Sequence, residues 1–146
     1  MRTHLILKQI LWDEDLTTWI EIPPHSNIAA CFDSFQHSDG EKSYRFSLAE
    51  ISNQGDMYKY IKSFNLNLSI TIPLSYMAIV YDCMIQLVLG MEYAHNNGLV
   101  HGSFSLSNVA VHKDGETAVY KITNFAPGSS MKLPLSEEAS YWPFCR

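Results

Sequence analysis

Charged side chains are scarce in this sequence of 146 residues, of which only 17% are Asp, Glu, Lys or Arg. An average soluble domain has about 25%, and a low charge fraction is typical of a chain whose surface is partly covered by other protein. Acids exceed bases, and the formal net charge is −5. This balance argues against nucleic acid as a partner, because phosphate contacts require a basic surface. Composition therefore predicts a globular chain that does not bind nucleic acid.

Cysteine is also rare. Cys31, Cys83 and Cys145 are odd in number, far apart in the chain and without C-x-x-C spacing. This pattern excludes a disulfide framework and offers no zinc ligand pair. We interpret the three as buried thiols in a reducing compartment, and we expect a cytoplasmic location.

Long apolar runs and paired glycines are missing. No apolar run reaches the length of a membrane span, and Lys8, Trp12 and the acids at 13–15 interrupt the N-terminal apolar residues, so no signal peptide is predicted. We expect no membrane partner. No two glycines stand two positions apart, so the chain contains no G-x-G phosphate loop. No internal repeat is present.

What the chain does contain is a succession of helical and strand patterns, which predicts an α+β fold. Apolar spacing predicts a helix over residues 4–22, stopped by Pro23-Pro24. Turn residues and alternation predict the remaining elements. These are a hairpin of 29–36 with 43–50, a short helix 56–62, a long helix 75–97 ended by Gly98, strands near 108–112 and 118–123, and an irregular tail 127–146.

Two short motifs follow the long helix. The first is His101-Gly-Ser-Phe-Ser-Leu-Ser-Asn108, and the second is Asn124-Phe-Ala126, with a hairpin turn at Lys113-Asp-Gly115 between them. The first resembles the catalytic loop H-R-D-L-x-x-x-N of eukaryotic-type protein kinases, and the second resembles their metal-binding D-F-G. The resemblance implies a degenerate, partial kinase-like fold.

The resemblance extends from about residue 4 to the end of the chain. It implies one partial kinase-like domain over 1–146, with a small-lobe part (1–50, helix αC and the hairpin after it) and a large-lobe part (51–146, with an activation-segment-like tail). Residues 51–55 would be the hinge between the lobes. The glycine-rich loop, the small-lobe lysine strand and helix αF would lie outside the chain. The chain is then either a fragment of a longer protein or a truncated relative.

The resemblance also implies that phosphotransfer chemistry is lost. Ser103 stands where kinases have the catalytic Asp, Ser105 where they have a Lys, and Asn124 where they have the magnesium-binding Asp. A serine hydroxyl is a poor base near neutral pH, and Mg²⁺ sites usually rely on one or two carboxylates. Asn108 is retained, and we interpret it as a structural amide. Ala126 replaces the family's Gly and favours a fixed turn. We expect no metal site.

Other positions match the structural residues of the family. Trp19, Cys31, His101 and Phe125 fall where kinases stack side chains between the two lobes. The resemblance therefore predicts one connected apolar column. It treats His101 as a packing residue and not as a catalyst.

A vestigial nucleotide slot is the remaining site that the resemblance implies. Ala49 would be the gatekeeper, Glu50 and Ser52 would supply hinge backbone groups, and Ala110 would lie under an adenine. We expect no cofactor, although these positions are also compatible with ATP bound without magnesium. Asp15 falls at the position of the αC glutamate and is interpreted as a solvated carboxylate.

Three functional classes stay open. The first is a pseudokinase that serves as a protein-interaction or structural component of a larger assembly. The second is a divergent kinase that still binds ATP and phosphorylates Ser or Thr, and the third is a remnant without function. The apolar faces of residues 76–94 would lack cover from αF, and the small-lobe hairpin would have an open edge. We expect other proteins, or the rest of the same polypeptide, to cover both.

Overall fold

The computed structural model describes residues 5–10, 16–64 and 74–125, and these form an α+β fold. The predicted fold class is confirmed. The elements are β1 (Leu5–Ile10), α1 (Thr17–Glu21), β2 (Cys31–Ser38), β3 (Ser43–Glu50), α2 (Met57–Ser63), α3 (Leu74–Asn96), a 3-10 turn (Leu106–Asn108), β4 (Val109–Asp114) and β5 (Thr117–Ile122).

The first three strands form an antiparallel sheet in the order β1-β3-β2. The predicted β2–β3 hairpin is confirmed, with Phe35 opposite Phe46 and a register shift between Cys31 and Asp33. The hairpin turn is closed locally, because the Asp39 carboxylate accepts hydrogen bonds from the backbone N–H groups of Glu41 and Lys42. An Asp side chain that bonds its own following backbone is a standard turn device.

The prediction of one helix over residues 4–22 is wrong. Residues 5–10 are strand β1, and the helix α1 begins only at Thr17. The segment Leu5-Ile-Leu-Lys-Gln-Ile10 is apolar and β-branched enough to pair with β3 along its whole length. Sheet pairing is a tertiary contact, and it overrides a helical spacing of apolar residues that the sequence shows only locally.

The expectation of an open edge on the hairpin is therefore also wrong at β3. β1 covers that edge completely, from Leu5 opposite Glu50 to Ile10 opposite Arg45. This strand carries Lys8 in register with Ser47.

The two helices predicted over 56–62 and 75–97 are confirmed. Asp56 caps α2 by accepting a 2.9 Å hydrogen bond from the backbone N–H of Lys59. Helix α3 ends shortly before Gly98, whose φ of 74° is the left-handed conformation that terminates many helices. One side of α3 is buried at Cys83, Gly90 and Ala94, and α3 packs against β5.

Strands β4 and β5 form a second antiparallel sheet, as predicted, with Val111 opposite Tyr120. Two apolar clusters surround it. One joins α1, β2 and the end of α3 through residues such as Trp19 and Phe125, and the other joins α2, α3 and β4 through residues such as Met57 and Val109. The β4–β5 hairpin is therefore the element against which helices α2 and α3 pack.

Within residues 5–10, 16–64 and 74–125, α3 is the one helix that is long and apolar enough to cross a membrane. Only 17% of its most apolar window is buried. Core helices of soluble proteins meet the same criterion of length and composition. The buried side of α3 packs against β5.

Candidate functional site

The loop between α3 and β4 holds the first motif. Gly102 adopts a φ of 70°, and the backbone N–H of Ser103 turns back to the carbonyl oxygen of His101 at 2.8 Å. Ser103 is exposed. Among the residues that the structure describes, no carboxylate hydrogen-bonds to its hydroxyl. Its backbone is instead held by His101 and Asn108, through its N–H and its carbonyl oxygen.

His101 is buried and satisfied on both ring nitrogens. Its Nε2 lies 2.9 Å from the carbonyl oxygen of Thr123, so Nε2 donates, and its Nδ1 accepts the backbone N–H of Ser103 at 3.2 Å. This is the neutral imidazole, with one donor and one acceptor. Burial lowers the pKa of His101, and the hydrogen bond to Thr123 opposes that effect. His101 thus connects the first motif to Thr123, the residue directly before the second motif.

Asn108 and Asn124 hydrogen-bond directly to each other. The Nδ2 of Asn124 donates to the Oδ1 of Asn108 at 2.7 Å, and the Nδ2 of Asn108 donates to the carbonyl oxygen of Ser103 at 2.8 Å. Asn124 has a φ of 60°, which Asn tolerates better than most residues. The oxygen that Asn108 would offer a cation is already an acceptor, and neither side chain carries charge. A pair of neutral amides is a weak cation site compared with carboxylates.

The residues of the predicted column lie together. The rings of His101 and Phe125 are 4.9 Å apart between centroids, and those of Phe125 and Trp19 are 5.7 Å apart. Cys31 is buried in the same cluster as Trp19 and Phe125. Trp19 is fixed by its indole N–H, which donates to the carbonyl oxygen of Ala29 at 2.9 Å. The ring contacts therefore run continuously from the first motif to α1.

Cys31 and Cys83 are buried free thiols. Burial raises the pKa of each thiol to about 11. Both remain protonated at neutral pH, so they behave as small apolar side chains and not as nucleophiles. Cys145 lies outside the described residues.

The positions assigned to a nucleotide slot are only partly available. Ala49 is buried in the cluster with Trp19, and Ala110 is buried in β4, opposite Lys121. The backbone N–H of Glu50 donates to the carbonyl oxygen of Ala30 at 2.9 Å. The Ser52 hydroxyl donates to the carbonyl oxygen of Gly55 at 2.7 Å. The N–H of Glu50 is thus used within the fold.

The side chain of Glu50 forms an ion pair that the sequence did not indicate. Its two carboxylate oxygens accept from the Nζ of Lys121 at 2.6 and 2.9 Å. The Nε2 of His112 lies 3.5 Å from the same carboxylate, is buried, and has no hydrogen-bond partner among the described residues. Burial lowers the pKa of His112, Glu50 opposes this and Lys121 reinforces it. The pair joins β3 to β5 and so connects the two sheets.

A second polar junction was also missed. The buried Asn27 donates through Nδ2 to the Oε1 of Gln86 at 2.9 Å and to the carbonyl oxygen of Tyr120 at 3.0 Å. Gln86 makes two hydrogen bonds with the backbone of β5. Its Oε1 accepts from the N–H of Tyr120, and its Nε2 donates to the carbonyl oxygen of Ala118. One signal in the sequence was available, since Gln86 is a polar residue in an otherwise apolar stretch of α3. The junction holds the segment before β2 against α3 and β5.

Two residues that we singled out from the sequence, Asp15 and Ala126, lie outside the described residues, as does the tail 127–146. Within the described ranges, no group of three or more His, Cys, Asp or Glu side chains is placed to hold a metal ion.

No protein-family model and no curated protein matches this chain. The kinase resemblance therefore rests on the two motifs and on the order of the elements around them.

Proposed function

We propose that this chain is a kinase-like module without phosphotransfer activity, which acts in the cytoplasm as a protein-interaction or structural component of a larger assembly. The observation that carries the proposal is the hydrogen bond between Asn124 and Asn108. If the kinase resemblance holds, these are the two metal-ligand positions. They are occupied by uncharged amides, one of which donates to the oxygen of the other.

The environment of Ser103 supports the same proposal. Ser103 would stand at the catalytic base, where loss of a general base typically costs about 10² to 10⁴ in rate. Its neighbours in the loop use their polar atoms to hold the backbone, because the Nδ2 of Asn108 bonds the carbonyl oxygen of Ser103 and the Nδ1 of His101 bonds its N–H. The loop is thus held by structural hydrogen bonds, and within the described ranges no charged side chain hydrogen-bonds to the Ser103 hydroxyl.

A role in binding is supported by exposed apolar surface on α3. Several large apolar side chains of this helix are exposed, among them Tyr81, Ile85 and Val88. Soluble monomers rarely expose contiguous apolar patches beyond a few hundred Å². Such a surface favours a partner protein over catalysis as the task of the chain.

The test is a phosphotransfer assay on the purified full chain. With radiolabelled ATP, Mg²⁺ or Mn²⁺ and a mixture of Ser/Thr peptides, we expect no label above that of a heat-denatured sample. Label transfer that disappears in Ser103→Ala or Asn124→Ala would overturn the proposal. Transfer that persists unchanged in both variants would instead point to a contaminating kinase.

One observation favours the alternative that the chain retains ATP binding. Strand β1 places Lys8 beside Ser47, in the sheet that also contains Ala49, and in kinases a lysine on the strand next to the hairpin contacts the nucleotide phosphates. Isothermal titration with ATP and no magnesium tests this. Binding that is lost in Lys8→Met and retained in Lys113→Met would establish the nucleotide site, with or without phosphotransfer.

A further inference from the structure

The exposed apolar side chains of α3 form one straight stripe. The helix advances 3.6 residues per turn, which places Leu74, Ala78, Tyr81, Ile85, Val88 and Leu89 along one face. The buried positions Cys83, Gly90 and Ala94 lie on the opposite face. Tyr81, Ile85 and Val88 are 61%, 61% and 64% exposed. The stripe is therefore separate from the side of α3 that packs against the β4–β5 hairpin.

The spacing within the stripe is the one found where two helices pack side by side. Successive positions from 74 to 88 are separated by four, three, four and three residues. This alternation brings apolar side chains repeatedly onto the line of contact between two helices. From Leu74 to Leu89 the stripe is about 22 Å long at 1.5 Å rise per residue. A second helix of about four turns would cover it.

Helix α3 carries two acidic side chains and no Lys or Arg. Asp82 and Glu92 are exposed on α3, and the sequence contains no Lys or Arg between Lys62 and Lys113. The carboxylate of Asp82 accepts a hydrogen bond from the side chain of Gln86 at 3.1 Å, which holds it at the edge of the stripe. Complementary charge at an interface rim steers association and selects partners.

We propose that the α3 stripe is the docking site for an amphipathic helix of a partner protein, with apolar residues at the same spacing and Lys or Arg along its edges. This deepens the proposed binding function and rests on it, but it does not depend on the absence of phosphotransfer. A second copy of this chain fits less well, because its α3 has no Lys or Arg that could pair with Asp82 and Glu92. A membrane surface fits less well, because Glu92 continues the line of the stripe.

The probe is a synthetic 21-residue helical peptide. It has Leu at positions separated alternately by four and three residues, as in the stripe, and Lys at the positions beside them. Two matched peptides carry Glu in place of Lys, or Ser in place of Leu. In fluorescence anisotropy with the full chain, we expect the Leu/Lys peptide to bind about tenfold or more tightly than either matched peptide. The preference for Lys over Glu should shrink in the Asp82→Asn/Glu92→Gln variant and at high salt.

Variants of the chain locate the site. Ile85→Glu should weaken binding of the Leu/Lys peptide by about tenfold or more, whereas Gln54→Glu, which adds the same charge at an exposed site outside α3, should leave it within about twofold. Circular dichroism and urea unfolding check that each variant folds. If Ile85→Glu unfolds, Tyr81→Ser replaces it. Equal binding of all three peptides, or binding that Ile85→Glu leaves unchanged, would overturn the proposal.

Two other occupants are outcomes of the same study. Dimerisation by analytical ultracentrifugation that Ile85→Glu abolishes would show that a second copy covers the stripe. Sedimentation with phosphatidylcholine vesicles that Ile85→Glu abolishes would show a membrane. Either result, without peptide binding, overturns the proposal. Label transfer in the phosphotransfer assay would overturn the proposed function and leave the docking result standing.

Discussion

The side-chain amide of Asn124 donates a 2.7 Å hydrogen bond to the side-chain oxygen of Asn108. Through Asn108 the contact continues to the carbonyl oxygen of Ser103, and the backbone N–H of Thr123 donates to the carbonyl oxygen of Asn108. The two motifs of the sequence are thus one hydrogen-bonded unit. These hydrogen bonds hold the loop after α3 against the end of β5.

Replacing Asn124 with Asp tests this unit. Asp has no donor for the oxygen of Asn108, and if the Asn108 amide rotates to compensate, the carbonyl oxygen of Ser103 loses its donor instead. We expect the free energy of unfolding in urea to fall by about 1 kcal/mol. The control is Gln54→Glu, an amide-to-carboxylate change at an exposed site, which should change it by less than about 0.5 kcal/mol. Equal stability of the two variants would mean that the amide pair contributes nothing.

Gly90 is required because α3 lies very close to Asn27 and Ile122 at this position. A Cβ added there would lie 2.8 Å from the carbonyl oxygen of Asn27 and 3.1 Å from the Cδ1 of Ile122. Gly90→Ala therefore forces α3 away from the Asn27 junction, and we expect a loss of about 1 to 3 kcal/mol in urea unfolding despite the better helix propensity of Ala. The control is Val88→Ala, on the exposed face of the same helix. A Gly90→Ala variant as stable as wild type would show that α3 can shift without cost.

The stability of the fold should depend on pH through His101, which is buried, and His112, which is partly buried. Burial lowers the pKa of His101 and of His112, whereas the unfolded chain protonates them near about 6.5. Just below that pH the unfolded state binds more protons than the folded state, so the free energy of unfolding falls as the pH falls. Urea midpoints between pH 7.5 and 5.0 measure this.

The His101→Gln variant separates His101 from the other acid-sensitive groups. Gln can still donate to Thr123, but it does not titrate. We expect this variant to have a lower free energy of unfolding than wild type at pH 7.5. We also expect it to lose less of that free energy between pH 7.5 and pH 5.0. If the free energy of unfolding of His101→Gln falls with pH as steeply as that of wild type, His101 does not contribute to the pH dependence.

The Glu50–Lys121 pair should hold the two sheets together. Lys121→Met leaves a largely buried carboxylate without its charged partner, and hydrogen bonds to charged groups are worth about 1.5 to 3 kcal/mol. We expect a loss of this size at pH 7.5. Lys113→Met, at an exposed site on β4, is the matched control and should be close to neutral.

The Lys121→Met variant also tests His112, whose protonation should destabilise the wild-type fold but stabilise this variant. Without Lys121, the repulsion that helps to lower the pKa of His112 is gone, while Glu50, which raises that pKa, remains. Protonated His112 can then pair with Glu50 at low pH. The difference in unfolding free energy between Lys121→Met and wild type should narrow from pH 7.5 to pH 5.5. A difference that stays constant, or that widens, would contradict this role of His112.

Elements whose signals are local could be predicted from the sequence. The β2–β3 hairpin is closed by Asp39 and its own neighbours, and the end of α3 by Gly98. Each depends on residues within one turn of the chain. The two motifs likewise identified His101, Asn108 and Asn124 as residues of one site, since the β4–β5 hairpin between them brings their ends together.

Sheet partners and buried polar contacts were decided only by the tertiary structure. Residues 5–10 have an apolar spacing that suits a helix, and they become a strand because β3 offers them a full edge to pair with. The contacts of Asn27 with Gln86 and of Glu50 with Lys121 join residues 59 and 71 positions apart. A polar side chain must find a partner when it is buried. Its sequence neighbours do not show which one, because the partner is fixed by how distant elements pack.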